Sequence, residues 1–229
     1  MIGDIHGAFK ALQQCLHKCN FQPEKDQLIC LGDVTDGWPQ TRECIDYLMS
    51  IPNLVMIKGN HDAFTIDWGT SGTPPEGWEA QGGYATIESY KDGMDTTHIQ
   101  FLKNSRLYHL LNNRLFVHAG IDISKPLENQ VKDTFMWDRT LFRQAFPYRN
   151  EENPPRLTSF DSIYIGHTPM HRYGYKHPVN ACEVWMMDTG AGWDGVLSIM
   201  DIETNEYWTS DPVNTLYPDH QGRFLYANS

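Results

Sequence analysis

No stretch of this chain approaches the ~18 consecutive apolar residues of a membrane-spanning helix, so no membrane partner is expected. Basic residues are also scarce. Lys and Arg number 18 against 29 Asp and Glu, a formal net charge of -11 with a pI near 5.3. Holding a nucleic-acid backbone needs clustered cations, and this balance argues against a nucleic-acid partner. The five cysteines, at positions 15, 19, 30, 44 and 182, show neither zinc-ribbon spacing nor an even disulfide framework. Cys15 and Cys19 lie four apart on a helical pattern and read as core-facing thiols in a reducing compartment. Behind Met1 there is no basic segment followed by an apolar stretch, and a soluble cytoplasmic protein is the expectation. Internal repeats, heptads and low-complexity tracts are missing too.

What is present is an alternation of short apolar runs with helical patterns. The 229 residues suffice for one large domain, and no linker divides them. One domain is expected over 1–210, followed by a polar, proline-containing tail over 211–229 with no readable function. Phe9, Leu12, Cys15, Leu16 and Cys19 recur at helical spacing. Apolar runs at 28–31 and 54–57 read as buried strands, and Ile45, Leu48 and Met49 between them mark a helix with Pro39 in its first turn. That strand-helix-strand order points to α/β packing. Residues 69–83 are the most turn-rich of the chain and read either as a lid or as a plain surface excursion. A short helix near 97–103, a hairpin over 108–117 turned at Asn112-Asn113, and strands at 163–165, 184–187 and 196–202 complete the pattern.

Metal-binding side chains gather where these strands end. In Gly3-Asp4-Ile5-His6-Gly7, residues two apart in extended chain face the same side, so Asp4 and His6 can reach one ion together. Only Met1 and Ile2 precede this stretch, so either a central strand is unusually short or the true start lies upstream. Gly32-Asp33-Val34-Thr35-Asp36-Gly37 comes next. A carboxylate has two oxygens, so Asp33 can serve both members of a metal pair about 3.5 to 4 Å apart, the spacing used to hydrolyse phosphate esters. Asp36 is a second carboxylate in the same turn, able to bind metal or to hold a histidine. In Gly59-Asn60-His61-Asp62, Asn60 offers a neutral carbonyl oxygen, while His61 points elsewhere in a tight turn. His118 ends a strand in Val117-His118-Ala119-Gly120, and His167 does so in Gly166-His167-Thr168-Pro169. Arg139, in Trp137-Asp138-Arg139, has planar donors suited to two phosphate oxygens, or alternatively to a surface ion pair. Imidazole, carboxylate and amide oxygen suit Mn, Fe or Zn.

Taken in order, these five motifs resemble those of the calcineurin-like metallophosphoesterases, within them the phosphoprotein phosphatase branch with its small bacterial and phage members. The resemblance runs from Gly3 to about Asp201. It implies a single-domain α/β sandwich of two mixed β-sheets flanked by α-helices, with two divalent metal ions, Mn first among the candidates. Asp4, His6 and Asp33 would hold one ion, and Asp33, Asn60, His118 and His167 the other. A metal-bridging hydroxide would attack phosphorus while His61 protonates the departing oxygen. Asp36 would hydrogen-bond His61, fixing its tautomer and raising its pKa, and Arg139 would steady the phosphoryl charge. The implied reaction is phosphomonoester hydrolysis on a phosphorylated protein or small phosphoester. Trp78, Gly82-Gly83, Thr86 and Ser89-Tyr90 are similar to small bacterial serine/threonine phosphatases. A symmetrical bis(5'-nucleosyl)-tetraphosphatase shares the metal core, and a non-catalytic phosphate-binding protein would keep the ligands without needing His61 or Asp36.

Two departures stand out. Asp62 replaces a glutamate of the family pattern, and Gly37 replaces an arginine. The second leaves substrate phosphate one cation short, unless Arg42 on the following helix reaches back. With Arg42 idle, Gly37→Arg is expected to raise kcat/KM. His171, beyond Pro169, is not expected to be a ligand.

Overall fold

Strands that are apolar on both faces need a core on each side. The computed structural model, which describes residues 1–226, gives them that. In chain order the elements are α1 (Phe9–Lys18), β1 (Leu28–Cys30), α2 (Thr41–Met49), β2 (Leu54–Met56), α3 (Asn60–Ser71), α4 (Gly83–Ser89) and α5 (Thr96–Lys103). The hairpin β3 (Tyr108–Leu111) and β4 (Arg114–Val117) follows, then α6 (Lys132–Trp137), α7 (Thr140–Ala145) and β5 (Ser162–Ile165). The chain closes with β6 (Val179–Ala181), β7 (Val184–Met186), β8 (Ser198–Met200), β9 (Tyr207–Thr209) and α8 (Val213–Leu216).

One mixed sheet has the order β3-β4-β5-β7-β6, parallel at its centre and antiparallel at both margins. The other is joined through the N-terminal segment, where Met1 and Gly3 bond to β8 and Ile2 pairs on both sides. Ile2 pairs in parallel with Cys30 and antiparallel with Ile199, linking the parallel pair β1-β2 to the antiparallel pair β8-β9. Its amide donates to Ile29 O at 2.8 Å, and Leu31 N donates back to Ile2 O at 3.0 Å. This link sits where the first motif begins.

Period-two alternation then assigns each side chain to a layer. Ile29, Leu31, Val55 and Ile57 of the first sheet meet Phe116 and Tyr164 of the second, whose rings stack at 4.9 Å, in an inter-sheet core. Leu28, Cys30 and Met56 face the opposite way, toward Leu12, Cys15 and Leu16 of α1 and Cys44, Ile45 and Leu48 of α2. Leu115, Val117, Ile163 and Ile165 face Phe135, Leu141 and Phe142 of α6 and α7. The result is the expected sandwich of two mixed sheets between helical layers.

Three local expectations change. Helix α2 begins at Thr41, and Pro39 lies in the turn before it, because the Gln40 amide is engaged by Gly7 O at 3.2 Å. Asn60 and His61 open a twelve-residue helix rather than a plain turn. That helix extends to Ser71, into the segment read as loop, and Glu79–Gln81 add a 3-10 turn. Gly69 explains the misreading: a Cβ there would stand 2.9 Å from Ile99 Cγ1, so this glycine permits close packing of α3 on α5 and does not mark a turn.

Candidate active site

The parallel strands β1, β2, β4 and β5 all end on one side of the sandwich, which gathers their motifs into one place. Close approach there is possible only without side chains. A Cβ on Gly59 would stand 2.1 Å from Asp33 Oδ1, and one on Gly166 would stand 2.0 Å from Asp4 Oδ1. His6, Asp33, Asp36 and His167 all have positive φ, at 52°, 47°, 73° and 63°. For residues other than glycine this costs of order 1–3 kcal/mol each, and it persists where surrounding bonds over-determine the backbone. Asp62 supplies such bonds: its carboxylate accepts from the amides of Gly59 (2.9 Å), Asp33 (3.0 Å) and Val34 (2.9 Å). The aspartate that replaces the family's glutamate thus clamps the second motif to the third.

Two groups of potential ligands share one residue. Asp4, His6 and Asp33 form one and Asp33, His118 and His167 the other, with the ligand atoms of each group within 4.8 Å of one another. Asn60 Oδ1 joins the second, 3.1 Å from His118 Nε2. Their hydrogen bonds fit a pair of cations. His6 Nδ1 donates to Thr35 O at 3.0 Å and His118 Nδ1 to Leu31 O at 2.9 Å, which leaves each Nε2 turned toward the carboxylates. Asp4 Oδ1 and His167 Nε2 are buried with no hydrogen-bond partner among the described residues, a costly arrangement unless a ligand completes it. Burial pushes the His118 imidazole down, yet Asp33, 3.3 Å away, outweighs it and lifts the group to about 10. A pocket that draws a proton onto His118 so strongly is one that draws positive charge. His171 stands outside both groups, against the Trp193 ring at 5.4 Å.

His61 Nδ1 lies 2.6 Å from Asp36 Oδ2. The Asp36 carboxylate also accepts from Trp78 Nε1 at 2.7 Å and Thr86 Oγ1 at 2.8 Å, so it is held on three sides. Burial pushes Asp36 up to about 7, against the pull of those donors. His61 moves opposite to the expected direction: burial, followed by the Arg223 charge, takes it down to about 3. The bond between Nδ1 and Asp36 fixes the orientation of the ring and leaves Nε2 at the end away from Asp36.

A family model for calcineurin-like phosphoesterases matches residues 1–197. The chain belongs to that family. Serine/threonine-protein phosphatase 1 of Salmonella typhimurium is 24% identical over 212 residues, covering 89% of this chain and 91% of that one. A symmetrical bis(5'-nucleosyl)-tetraphosphatase of Coxiella burnetii is 27% identical over 139 residues, covering 59% of this chain and 45% of that enzyme. Among solved structures, a metallophosphoesterase from Sphaerobacter thermophilus superposes with a TM-score of 0.58 at 14% identity, covering 99% of this chain and 92% of its own.

In this phosphoesterase a cleft of about 130 Å³ opens over Asp33, Asn60, His61 and His167, and three arginines line it: Arg139, Arg172 and Arg223. Arg139 Nη2 reaches His167 O at 3.5 Å and pairs with no carboxylate among the described residues. Arg172 and Arg223 were not singled out by the sequence. Neither sits in a motif, and the vacancy at Gly37 was the sole hint that a cation must come from elsewhere. Arg42 is not that cation. Its amide donates to Ser89 Oγ at 2.9 Å and its guanidinium lies over Tyr90, 6.0 Å from the ring centre, away from the cleft. Arg42→Ala is accordingly expected to leave kcat/KM unchanged in steady-state assays. Gly37→Arg, contrary to the expectation from sequence, is expected to lower it. Gly37 has φ 96°, and a Cβ there would come within 3.1 Å of Arg223 Cγ.

Proposed function

We propose that this phosphoesterase removes phosphate from serine or threonine side chains of proteins, with two divalent metals, Mn foremost, and His61 as general acid. The reading is carried by one observation: a single carboxylate, Asp33, belongs to two adjacent ligand groups. Metals held there would polarise a phosphoryl oxygen and supply a nucleophilic water near neutral pH. The protein's own work is positional. Asp4, His6, Asn60, His118 and His167 would hold the pair together with Asp33, the tautomers of His6 and His118 being set by backbone carbonyls. Asp36 orients His61 so that its Nε2 can protonate the departing oxygen, and Arg139 binds the phosphoryl oxygens. The cleft favours a protein substrate. At about 130 Å³ it has room for a phosphoryl group but falls short of the roughly 300–1,000 Å³ of sites that enclose small molecules, so the rest of the substrate must lie outside. The near full-length match to a serine/threonine phosphatase supports the same choice. A cytoplasmic location belongs to the proposal, supported by the free thiols of Cys15, Cys19, Cys30, Cys44 and Cys182.

A second reading, symmetrical dinucleoside tetraphosphate hydrolysis, draws on Trp137, which is 39% exposed at the cleft and offers a surface on which a base can stack. Turnover of phosphoserine and phosphothreonine peptides beside diadenosine tetraphosphate, with Mn, Zn or Mg added, separates the two. Higher kcat/KM on the peptides is expected. The reverse ranking would establish the nucleotide reading, and no hydrolysis of either with any metal would overturn both.

A further inference from the structure

We infer that Arg223, carried on the C-terminal segment, binds the substrate phosphate from the space that Gly37 leaves empty. The inference rests on the phosphoesterase reading above and adds to it a residue outside all the motifs.

Three loops make way for this one side chain. A Cβ on Gly37 would come within 3.1 Å of Arg223 Cγ, one on Gly82 within 3.0 Å of the same atom, and one on Gly192 within 2.9 Å of Cδ. The stem of Arg223 thus runs through a channel lined by glycines, and a side chain at any of these positions would have to displace it. The head is positioned with equal care. Its guanidinium lies over the Trp193 ring, 4.3 Å from the centre, and Nε donates to Gln81 O at 2.9 Å, so both the plane and the rotation of the fork are set. Nη1 then stands 3.5 Å from His6 Nε2, at the edge of the first ligand group, and Arg223 lines the cleft together with Arg139 and Arg172.

The backbone that carries Arg223 is anchored independently of it. Tyr217 stacks on Trp38, the neighbour of Gly37, with ring centres 5.2 Å apart, and its hydroxyl donates to Gln40 Oε1 at 2.7 Å. Tyr84 donates to Gly222 O at 2.9 Å, and Arg223 N donates to Gly192 O at 3.0 Å. A Cβ on Gly222 would meet Trp38 Cζ2 at 2.6 Å, so the glycine is what lets the chain come this close. What Arg223 lacks is a counter-ion: no carboxylate lies within ion-pair distance of it among the described residues. A guanidinium drawn into a cleft and left unpaired is costly, and an anion entering that cleft relieves the cost. The fork of Nη1 and Nη2 matches two phosphate oxygens.

The test compares wild type with Arg223→Met, which keeps the stem and removes the charge, and Arg223→Lys, which keeps a cation. Inorganic phosphate serves as probe, titrated calorimetrically into Mn-loaded protein and used as a competitive inhibitor of phosphopeptide hydrolysis. Metal content and Tm are recorded for each variant. Arg223→Met is expected to weaken phosphate binding and raise KM by roughly ten- to a hundredfold, the worth of hydrogen bonding to a charged group, with metal content unchanged. Arg223→Lys should recover part of that loss. A merely structural pin would lower Tm and leave phosphate affinity as in wild type, and that result would overturn the inference. So would equal affinity in Arg223→Lys and wild type if Arg223→Met fails to fold, since the fork would then contribute nothing. A wild-type protein that hydrolyses no phosphoester would sink the function proposed above, while the calorimetric comparison would still decide the role of Arg223.

Discussion

Asp33→Asn is expected to empty both metal positions at once and to take turnover down with them. The single carboxylate belongs to both ligand groups, and the substitution exchanges one charged oxygen for an amide nitrogen that repels a cation. Losing metal-based stabilisation of phosphoryl charge, worth several kcal/mol, corresponds to a fall of about a thousandfold or more in kcat. Metal analysis by mass spectrometry and steady-state turnover on the same preparation check this. Chelation should inactivate the wild type, and added Mn should restore it but not the variant. Full activity in a chelated, metal-free wild type would sink the two-metal mechanism.

His61→Gln is expected to behave differently, keeping its metals while losing about 10² to 10⁴ in turnover of esters with poor leaving groups. Glutamine can retain a hydrogen bond toward Asp36 but cannot hand a proton to an alkoxide. An aryl phosphate, whose phenolate departs without help, should lose much less. The ratio of the two losses is the informative quantity, because general damage to the site would reduce both alike. Equal losses would show that His61 is not the proton donor. The packing around it makes the substitution a clean one: the neighbouring Asp36 keeps its bonds to Trp78 and Thr86 whether or not the imidazole is present.

Legibility in the sequence followed the range of the interaction. Asn112-Asn113 marked the hairpin because both must take positive φ, and they do, at 49° and 59°. Pro39 misled because proline is tolerated both inside a helix start and in the turn before one, and the hydrogen bond to Gly7 that decides between them comes from a distant loop. Gly69 misled in the same way, since its role against Ile99 depends on a helix not yet in view. Arg139 was singled out because Trp137-Asp138-Arg139 resembles a segment of the family. Arg172 and Arg223 had no such company.

By itself the sequence determined which side chains would stand at the strand ends, because each motif is a few residues long and its strand, glycine and turn are specified by local backbone chemistry. Apolar runs that need burial on both faces gave α/β packing, and the resemblance of the motifs to the metallophosphoesterases added the two-sheet sandwich and the set Asp4, His6, Asp33, Asn60, His118 and His167. Only the tertiary structure decided how those ends converge, with the residues from Met1 to Gly3 tying β8 to β1 and bringing the first motif beside Asp33. It alone reversed the expected shift of His61, since the cost of burying an imidazole depends on everything packed around it and not on its one sequence partner. The cations of the cleft were decided there as well. A vacancy at Gly37 and the arginine whose stem passes through it lie near opposite ends of the chain, and no local pattern links two residues that meet only after folding.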